Sequence, residues 1–273
     1  MPLYVVATPI GNLGDLTARA REVLSACDGV IAEDTRHSGN LMKRLGIEKP
    51  LYSLPAFDES VRVEPLVRRL AGGESLALVT DAGTAAVSDP GGVLVRRAVE
   101  EGIAVVPVPG PSAAVAAVSI SGFPEGRFHF AGFLPRKASH RAQMLAELAP
   151  LRAQLVFYEA PQRLARTLAD LRAALGDRPA VVARELTKLH EELARGSLSE
   201  LERRFAGEVR GEVAIVVRGA PEAAPADPAV LEEEVRSRLA RGESPRSIAE
   251  ALSGAHSKRD VYRLALALRN VRS

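Results

Sequence analysis

The sequence predicts an α/β protein made of two α/β domains and a small helical domain. Three observations lead to this prediction. Short β-branched runs alternate with stretches of helical spacing, the composition changes abruptly to alanine and proline at GAPEAAPADPA (219–229), and the segments beyond have the spacing and caps of short helices. We therefore expect domains at 1–117 and 118–219, a linker at 220–229 and a helical tail at 230–273.

The first domain is predicted to contain a largely parallel sheet covered by helices. Its strand candidates are LYVVAT (3–8), GVIAED (29–34), LALVT (76–80) and IAVVPV (103–108), and each is followed by a stretch of helical spacing. Strands that are apolar on both faces are typical of parallel sheets with helices on each side.

The second domain repeats this alternation. Its strand candidates are FHFAGF (128–133), QLVFYE (154–159), AVVARE (180–185) and EVAIVV (212–217), and the intervening LARTLADLRAAL and SLSELERRF have helical spacing.

The tail is predicted to be helical and to resemble a helix-turn-helix. LEEEVRSRL is one helix candidate; a second begins with Ser244 as N-cap and Pro245 at the first helical position. A third follows Ser257, which forms a capping-box variant with Asp260. The third carries Lys258 and Arg259, so its basic face either contacts nucleic acid or is simply solvated.

Composition sets broad limits on the class of protein. The chain has 273 residues, 47% of them hydrophobic, and a formal net charge of only +2, which permits a polyanionic partner without requiring one. Cys27 is the only cysteine, so no intramolecular disulfide can form and a reducing compartment is favoured. The apolar start of MPLYVVATPIG is too short for a signal peptide or a membrane span, and we expect a cytoplasmic protein without membrane contact.

The loops after the predicted strands of the first domain are the candidate ligand-binding segments. They read TPIGNLGD, EDTRHS, TDAGTAAVSDPGG and PVPGPSA. In open α/β sheets, ligands bind beyond the carboxyl ends of the strands, and glycine allows the backbone to approach them closely. Tight turns alone could explain one such loop, but three in succession at one sheet edge indicate a binding site.

The ligand class follows from what these loops contain and lack. No P-loop motif is present, and the first strand-to-helix turn lacks the dinucleotide fingerprint. The third loop carries Asp81 and Asp89 without a nearby lysine or arginine, so it would repel a pyrophosphate. A ligand with an ammonium group, hydroxyl groups and a positive centre fits better, and S-adenosylmethionine has all three.

Metal and hydrolytic chemistry find little support in the sequence. The five histidines are scattered, and HEEL (190–193) lacks the second histidine of a zinc-protease motif, so we expect no metal. The nucleophile-elbow motif G-x-S-x-G is also absent.

Charged segments suggest a polar cleft and a nucleic-acid surface. FYEAPQR and RELTK each place a glutamate at a strand end with a cation soon after it, which suits either structural ion pairs or a cleft between the two domains. GFLPRKASHR (132–141) gathers cations without an acid, which favours contact with a phosphate backbone.

These motifs together resemble the bacterial 16S rRNA ribose 2′-O-methyltransferases of the tetrapyrrole methylase superfamily. The resemblance rests on LYVVATPIGNLGDLT, IAEDTRHSGNLMKRLGI, LVTDAGTAAVSDPG, VPVPGPSA, FAGFLPRK, FYEAPQR, RELTK, HEE and SKRDVY, and it runs through essentially the whole chain. It implies the tetrapyrrole methylase fold, with S-adenosylmethionine bound in the cleft between the two domains and S-adenosylhomocysteine as product. It further implies a homodimer that methylates the 2′-hydroxyl of a decoding-region cytidine in 16S rRNA, free or within the small ribosomal subunit.

The resemblance also implies the residues of the donor site. They are Ile10, Asp81, Gly83, Thr84, Ser112, Ala113, Tyr158, Leu186, Val213 and Ala214. At Ala85 the chain departs from the family, which usually has proline there. Proline fixes φ and removes a donor, so we expect Ala85 to loosen the loop and free one backbone N–H.

The residues that act on the substrate are less sharply defined. Candidate bases for the hydroxyl proton are Glu185 and Asp34. Candidate RNA-binding cations, some of which could instead hold carboxylates, are Arg36, Arg136, Lys137, Arg141, Arg163, Lys188, Lys258 and Arg259. Two alternatives stay open at this stage: a methylase of the same superfamily that acts on a small, tetrapyrrole-like acceptor, and a non-catalytic RNA-binding protein.

Overall fold

The protein forms two compact units in a computed structural model that describes residues 1–221, 228–253 and 256–270. The larger unit is Met1–Ala220 and the smaller is Pro221–Ser273. The larger unit contains two five-stranded sheets with helices packed on them, so the predicted α/β class is confirmed.

The first sheet is entirely parallel, as predicted, and has the strand order β3-β2-β4-β1-β5. Its strands are β1 (Leu3–Val6), β2 (Gly29–Ala32), β3 (Leu51–Ser53), β4 (Leu76–Val79) and β5 (Val105–Val108). Strand β1 lies between β4 and β5 and places Leu3 beside Leu76 and Val105. The edge strand β3 was not predicted, because its three half-buried residues are too few to show a hydrophobic pattern.

Helices cover both faces of this sheet. They are α1 (Ala18–Ala26), α2 (Thr35–Leu45), α3 (Glu59–Ala71) and α4 (Gly92–Glu100). The next helix, α5 (Ala113–Ser119), packs on the second sheet. Thr17 and Ser112 cap α1 and α5 by accepting hydrogen bonds from backbone N–H groups of the first turn. One core joins Leu24 of α1 to Val30, and the other joins Leu94 of α4 to Leu78, so the β-strands are buried on both sides.

The second sheet is mixed and has the order β6-β7-β10-β8-β9. Its strands are β6 (Phe128–Phe133), β7 (Gln154–Glu159), β8 (Pro179–Arg184), β9 (Glu192–Ser197) and β10 (Val213–Val217). Only the β6–β7 pair is parallel, because β10 inserts between β7 and β8 and runs antiparallel to both. The missed strand β9 (ELARGS) is a half-buried edge, which explains its polar sequence.

Helices of both halves of the chain cover the second sheet. On one face lie α6 (Ala138–Leu148), α7 (Leu164–Leu175) and α8 (Leu198–Arg204), around a core centred on Phe157. On the other face, Ala114 and Ala117 of α5 pack against Val156 and Val216. The domain boundary predicted between residues 117 and 118 therefore falls inside a helix that packs on the second sheet.

The smaller unit is a group of three helices, α9 (Pro228–Ala240), α10 (Pro245–Ala251) and α11 (Lys258–Asn270). Ser244 caps α10 as predicted, because its side chain accepts a hydrogen bond from Ser247 N. Val235, Ile248 and Val261 are fully buried in the shared core. Most of the predicted linker, residues 222–227, lies outside the described residues.

No helix among the described residues is both long enough and apolar enough to cross a membrane.

Phe157 is the largest fully buried side chain of the second sheet. We expect Phe157→Ala to lower the free energy of unfolding by about 3–5 kcal/mol, because it removes transfer energy and leaves a cavity. Urea denaturation followed by circular dichroism measures this loss. The control is Val99→Ala on α4, which is 61% exposed and should change stability by no more than about 0.5 kcal/mol. An equal effect of both variants would contradict the core described here.

Candidate functional site

A cavity of about 430 Å³ lies between the carboxyl-end loops of the first sheet and one end of the second. The first sheet contributes residues that follow β1, β2 and β4 and the start of α5, which is where ligands bind in open α/β sheets. The second sheet contributes the end of β7, part of β8, the loop after it, and the start of β10.

All ten residues predicted for the donor site line this cavity. They are Ile10, Asp81, Gly83, Thr84, Ser112, Ala113, Tyr158, Leu186, Val213 and Ala214. Since they come from widely separated segments, their convergence in one cavity is evidence for a common ligand.

Backbone pairing holds the loop after β4 against the loop after β1. Thr8 N donates to Gly83 O at 2.8 Å, and Gly83 N donates to Thr8 O at 3.1 Å. Gly83 has a φ of +82°, a conformation that favours glycine. The Thr8 hydroxyl also donates to Thr80 O at 3.0 Å, so this part of the cavity wall is built largely from backbone.

The same loop contains two residues in strained conformations. Ala86 and Ser88 have φ values of +64° and +63°, in the left-handed region that non-glycine residues rarely adopt. Ala85 is 1% exposed and belongs to the core cluster that contains Leu78 and Leu94. Core packing thus holds the loop at Ala85, and the predicted loosening relative to a proline stays a prediction.

One wall of the cavity is acidic. Asp81 Oδ1 is buried and has no hydrogen-bond partner among the described residues. Burial, together with the charge of Asp81, raises the pKa of Asp89. Burial and the carboxylates of Asp89, Asp81 and Asp34 raise the pKa of Glu33. These carboxylates are incompletely compensated within the described chain, so a cationic or hydrogen-bond-donating ligand would be stabilised beside them.

Another part of the cavity wall is apolar and carries one fixed phenol. Ile10, Leu186 and Ala214 contribute its buried aliphatic surface. The Tyr158 hydroxyl oxygen accepts a hydrogen bond from Ala114 N at 3.0 Å, and burial raises the pKa of Tyr158, which keeps the phenol protonated. Phe133 packs edge-on against the Tyr158 ring with centroids 5.7 Å apart. The cavity therefore suits a ligand with one polar, cationic part and one flat, apolar part.

Sequence analysis did not assign several residues that line the cavity. Among them are Glu33, Ser88, Phe133 and Glu159. Each lies inside a motif singled out from the sequence, so the segments were identified but the individual side chains were not. The Glu159 carboxylate is already engaged, because it accepts hydrogen bonds from the Thr167 hydroxyl at 2.6 Å and from Ala160 N at 2.8 Å.

The two candidate bases lie outside the cavity lining and are both occupied. Asp34 caps α2 and accepts hydrogen bonds from the Arg36 side chain and from Arg36 N, which lower its pKa to about 2. Glu185 accepts hydrogen bonds from Lys188 Nζ and from Glu212 N, and the Lys188 contact lowers its pKa. A carboxylate with a lowered pKa is a weak base, so neither arrangement suits proton removal.

The predicted RNA-binding cations divide into exposed and engaged groups. Arg136 and Lys137 are exposed, and the Arg36 side chain is 90% exposed despite its ion pair with Asp34. By contrast, Arg141 is 5% exposed, and its Nε lies 2.6 Å from Asp170 Oδ2. Its Nη1 donates to two backbone carbonyls of the preceding loop, so Arg141 supports the fold, a role that the sequence did not indicate.

Three of the four remaining predicted cations pair with carboxylates. Arg163 donates to Leu134 O at 3.0 Å and lies 3.3 Å from Glu159, and Lys188 pairs with Glu185. The predicted RNA-binding cations of the smaller unit are Lys258 and Arg259. Lys258 pairs with Glu250, and Arg259 is exposed.

Comparison with known proteins identifies the family. The family model for Tetrapyrrole (Corrin/Porphyrin) Methylases matches residues 2–202. The ribosomal RNA small subunit methyltransferase I of Xylella fastidiosa is 50% identical over 222 residues, which cover 80% of this chain and 81% of that protein. The protein of the same name from Synechocystis is 43% identical over 97% of this chain and 98% of its own length. The chain belongs to the ribosomal RNA small subunit methyltransferase I family of tetrapyrrole methylases.

Two solved methyltransferase structures share the fold of this chain. The crystal structure of the methyltransferase CobJ has a TM-score of 0.62 and 18% identity, over 82% of this chain and 96% of its own. The uroporphyrin III C-methyl transferase of Thermus thermophilus has a TM-score of 0.58 and 18% identity, over 80% and 97% of the two chains. Membership of the ribosomal RNA small subunit methyltransferase I family makes the protein a methyltransferase, and the cavity is the candidate site for its methyl donor.

The buried position of Arg141 in this methyltransferase leads to a stability prediction. Arg141→Ala should lower the free energy of unfolding by about 2–4 kcal/mol, because Asp170 and two carbonyls lose a charged donor. Arg136→Ala is the matched control in the same segment and should change stability by no more than about 0.5 kcal/mol. Thermal and urea unfolding measure both. Equal stability of the two variants would contradict a structural role for Arg141.

Proposed function

We propose that the protein transfers a methyl group from S-adenosylmethionine to the 2′-hydroxyl of a ribose in small-subunit ribosomal RNA, at a decoding-region cytidine. The observation that carries the donor assignment is the buried Asp81 Oδ1, which has no hydrogen-bond partner among the described residues, in a cavity that also has apolar lining. The acceptor class is supported by the relatives named ribosomal RNA small subunit methyltransferase I.

The cavity fits this donor in charge and in shape. Asp81 and Asp89 would hold its ammonium or hydroxyl groups, and Ile10, Leu186 and Ala214 would pack against its adenine. A volume of about 430 Å³ lies within the usual range of small-molecule sites. When bound, S-adenosylmethionine supplies a methyl group on a positively charged sulfur.

The protein's first contribution to the reaction is positioning. The 2′-oxygen must attack the methyl carbon in line with the departing sulfur, so that a C–O bond forms as the C–S bond breaks. Backbone pairing between Thr8 and Gly83 and the capped start of α5 fix the walls on one side of the cavity. A rigid wall of this kind reduces the entropy cost of reaching that alignment.

Glu33 is the group that we propose takes the hydroxyl proton. It lines the cavity directly after β2, and among the described residues its carboxylate has neither a hydrogen bond nor an ion pair. Its raised pKa makes it a stronger base than Asp34 or Glu185, whose carboxylates are engaged.

Exposed cations would hold the RNA phosphates in this proposal. Arg36 follows the cavity residue Glu33 by three positions, and Arg136 follows the cavity residue Phe133 by three. Both are exposed, as is Lys137. The chain has no tryptophan and only 4% aromatic residues, which favours recognition through phosphates and RNA shape over an extended base-stacking surface.

The decisive experiment uses small subunits and free 16S rRNA from a bacterial strain that lacks this activity. We expect transfer of label from S-adenosylmethionine to one ribose, located by reverse-transcription mapping of 2′-O-methyl marks. Asp81→Ala should weaken donor binding about 10- to 100-fold in calorimetry, because it removes a charge-assisted contact.

Three outcomes would contradict the proposal: no donor binding by the wild-type protein, a label on a base, or transfer to a tetrapyrrole in preference to RNA. Transfer to the assembled subunit but not to free RNA would define the substrate form and leave the reaction unchanged.

Replacement of Glu33 separates proton removal from donor binding. Glu33→Gln should lower kcat by about 10²- to 10⁴-fold, the usual contribution of a general base. Because the base acts when deprotonated, wild-type kcat should fall as the pH drops through the raised pKa of Glu33, and this fall should be absent in the variant. Asp34→Asn is the control at the adjacent carboxylate and should keep the pH profile. A wild-type profile in Glu33→Gln would refute this role.

A further inference from the structure

We propose that Lys188 is a positioning residue for the methyl donor, because it ties together three segments that each present an apolar residue to the cavity. The apolar residues are Ile10, Leu186 and Val213. The inference rests on the proposed donor site and assigns Lys188 a different task from RNA contact. Lys188 contacts Gly11, Glu185 and Glu212, and we call this group of four residues the interdomain clasp.

The first part of the clasp is the packing of the lysine stem on Gly11. A Cβ atom at Gly11 would lie 2.3 Å from Lys188 Cγ, 2.6 Å from Cε and 2.9 Å from Cδ, all far below van der Waals distance. Gly11 also has a φ of +149°. The loop after β1 of the first sheet therefore accepts the lysine because this position has no side chain.

The second part is a pair of carboxylates that hold the ammonium group. Lys188 Nζ lies 2.8 Å from Glu185 Oε1 and 2.9 Å from Glu212 Oε2. Glu185 Oε1 also accepts a hydrogen bond from Glu212 N at 2.9 Å, so the loop after β8 is tied to the start of β10. Burial disfavours the charged amine, but the two carboxylates outweigh it and raise the pKa of Lys188. The side chain is thus charged and held at its end, so it covers Gly11 as a fixed group.

The third part is the unusual backbone of the turn that carries Lys188. Glu185 and Thr187 have φ values of +51° and +64°, in the left-handed region. Conformations of this kind persist only where surrounding contacts impose them, and they cluster at binding sites. Here the contacts are the Lys188–Glu185 pair and a hydrogen bond of 2.6 Å from Thr187 N to Glu191 Oε2. Between the two strained residues lies Leu186, which points into the apolar cluster at the cavity.

Each tied segment places a neighbouring residue in the cavity wall. Ile10 precedes Gly11, Leu186 follows Glu185, and Val213 follows Glu212. Loss of the ammonium group would free the end of the side chain that covers Gly11 and leave two carboxylates without their cation, although the hydrogen bonds between Glu185 and Glu212 would remain. The consequence is a less ordered wall and a weaker site for the donor, while the exposed cations that face solvent elsewhere keep their positions.

The test compares Lys188→Met with the wild-type protein. Methionine keeps an apolar chain over Gly11 and removes the charge. We expect the Kd for S-adenosylmethionine to rise about tenfold, equivalent to ~1.4 kcal/mol, with kcat at saturating donor and KM for the ribosomal substrate unchanged. Lys188→Arg, which restores a cation between the carboxylates, should recover most of the affinity. Lys43→Met, at an exposed lysine on α2 outside the cavity lining, is the matched control and should bind the donor normally.

The outcomes separate this inference from the proposed function. Wild-type donor affinity in Lys188→Met combined with a higher KM for the ribosomal substrate would overturn the clasp and assign Lys188 to RNA. Absence of donor binding in the wild-type protein would refute the proposed function itself. If Lys188→Met fails to fold, Gly11→Ala decides, because its methyl group displaces the lysine stem: a weakened donor Kd supports the clasp, and an unchanged Kd overturns it.

Discussion

The packing of α5 on the second sheet is the contact on which the site depends. This helix follows the last strand of the first sheet, yet its alanines Ala114 and Ala117 pack against Val156 and Val216 of the second. Small side chains allow the helix to approach the strands closely, so that Ala114 N reaches the Tyr158 hydroxyl. The cavity lies beside this contact and draws its walls from both sheets, which explains why neither half of the larger unit contains the complete site.

The carboxylates that line the cavity differ in pKa from the carboxylates that only stabilise the fold. Asp34 and Glu185 are stabilised by cations and backbone donors, and their pKa values are lowered. Glu33 and Asp89 are destabilised by burial and by nearby carboxylates, Asp81 among them in both cases, and their pKa values are raised. Like charges that are left close together in a partly buried cavity reduce stability unless a ligand compensates them. That cost is consistent with a site selected for a cationic ligand.

The cations show the same division between structural and functional charge. A chain rich in arginine suggests a polyanionic partner. However, Arg141 and Arg163 form hydrogen bonds and ion pairs with carbonyls and carboxylates of the surrounding fold. Lys188 does so as well, at the junction of three segments. Only a subset of the basic residues therefore remains available for RNA. Net charge is a poor guide to a binding surface when most cations are engaged in ion pairs.

The sequence by itself determined the α/β class, the strands with apolar runs, the cap of α10 and the segments that line the cavity. These features depend on local pattern, or on motifs whose residues are adjacent in the chain. Only the tertiary structure revealed the edge strands β3 and β9, which are short or half-buried, and the position of β10 between β7 and β8. It also decided which charged groups are free. Glu33 and Asp34 are neighbours in the chain, but burial and the distant Asp89 and Asp81 raise the pKa of Glu33, whereas hydrogen bonds from the nearby Arg36 lower that of Asp34.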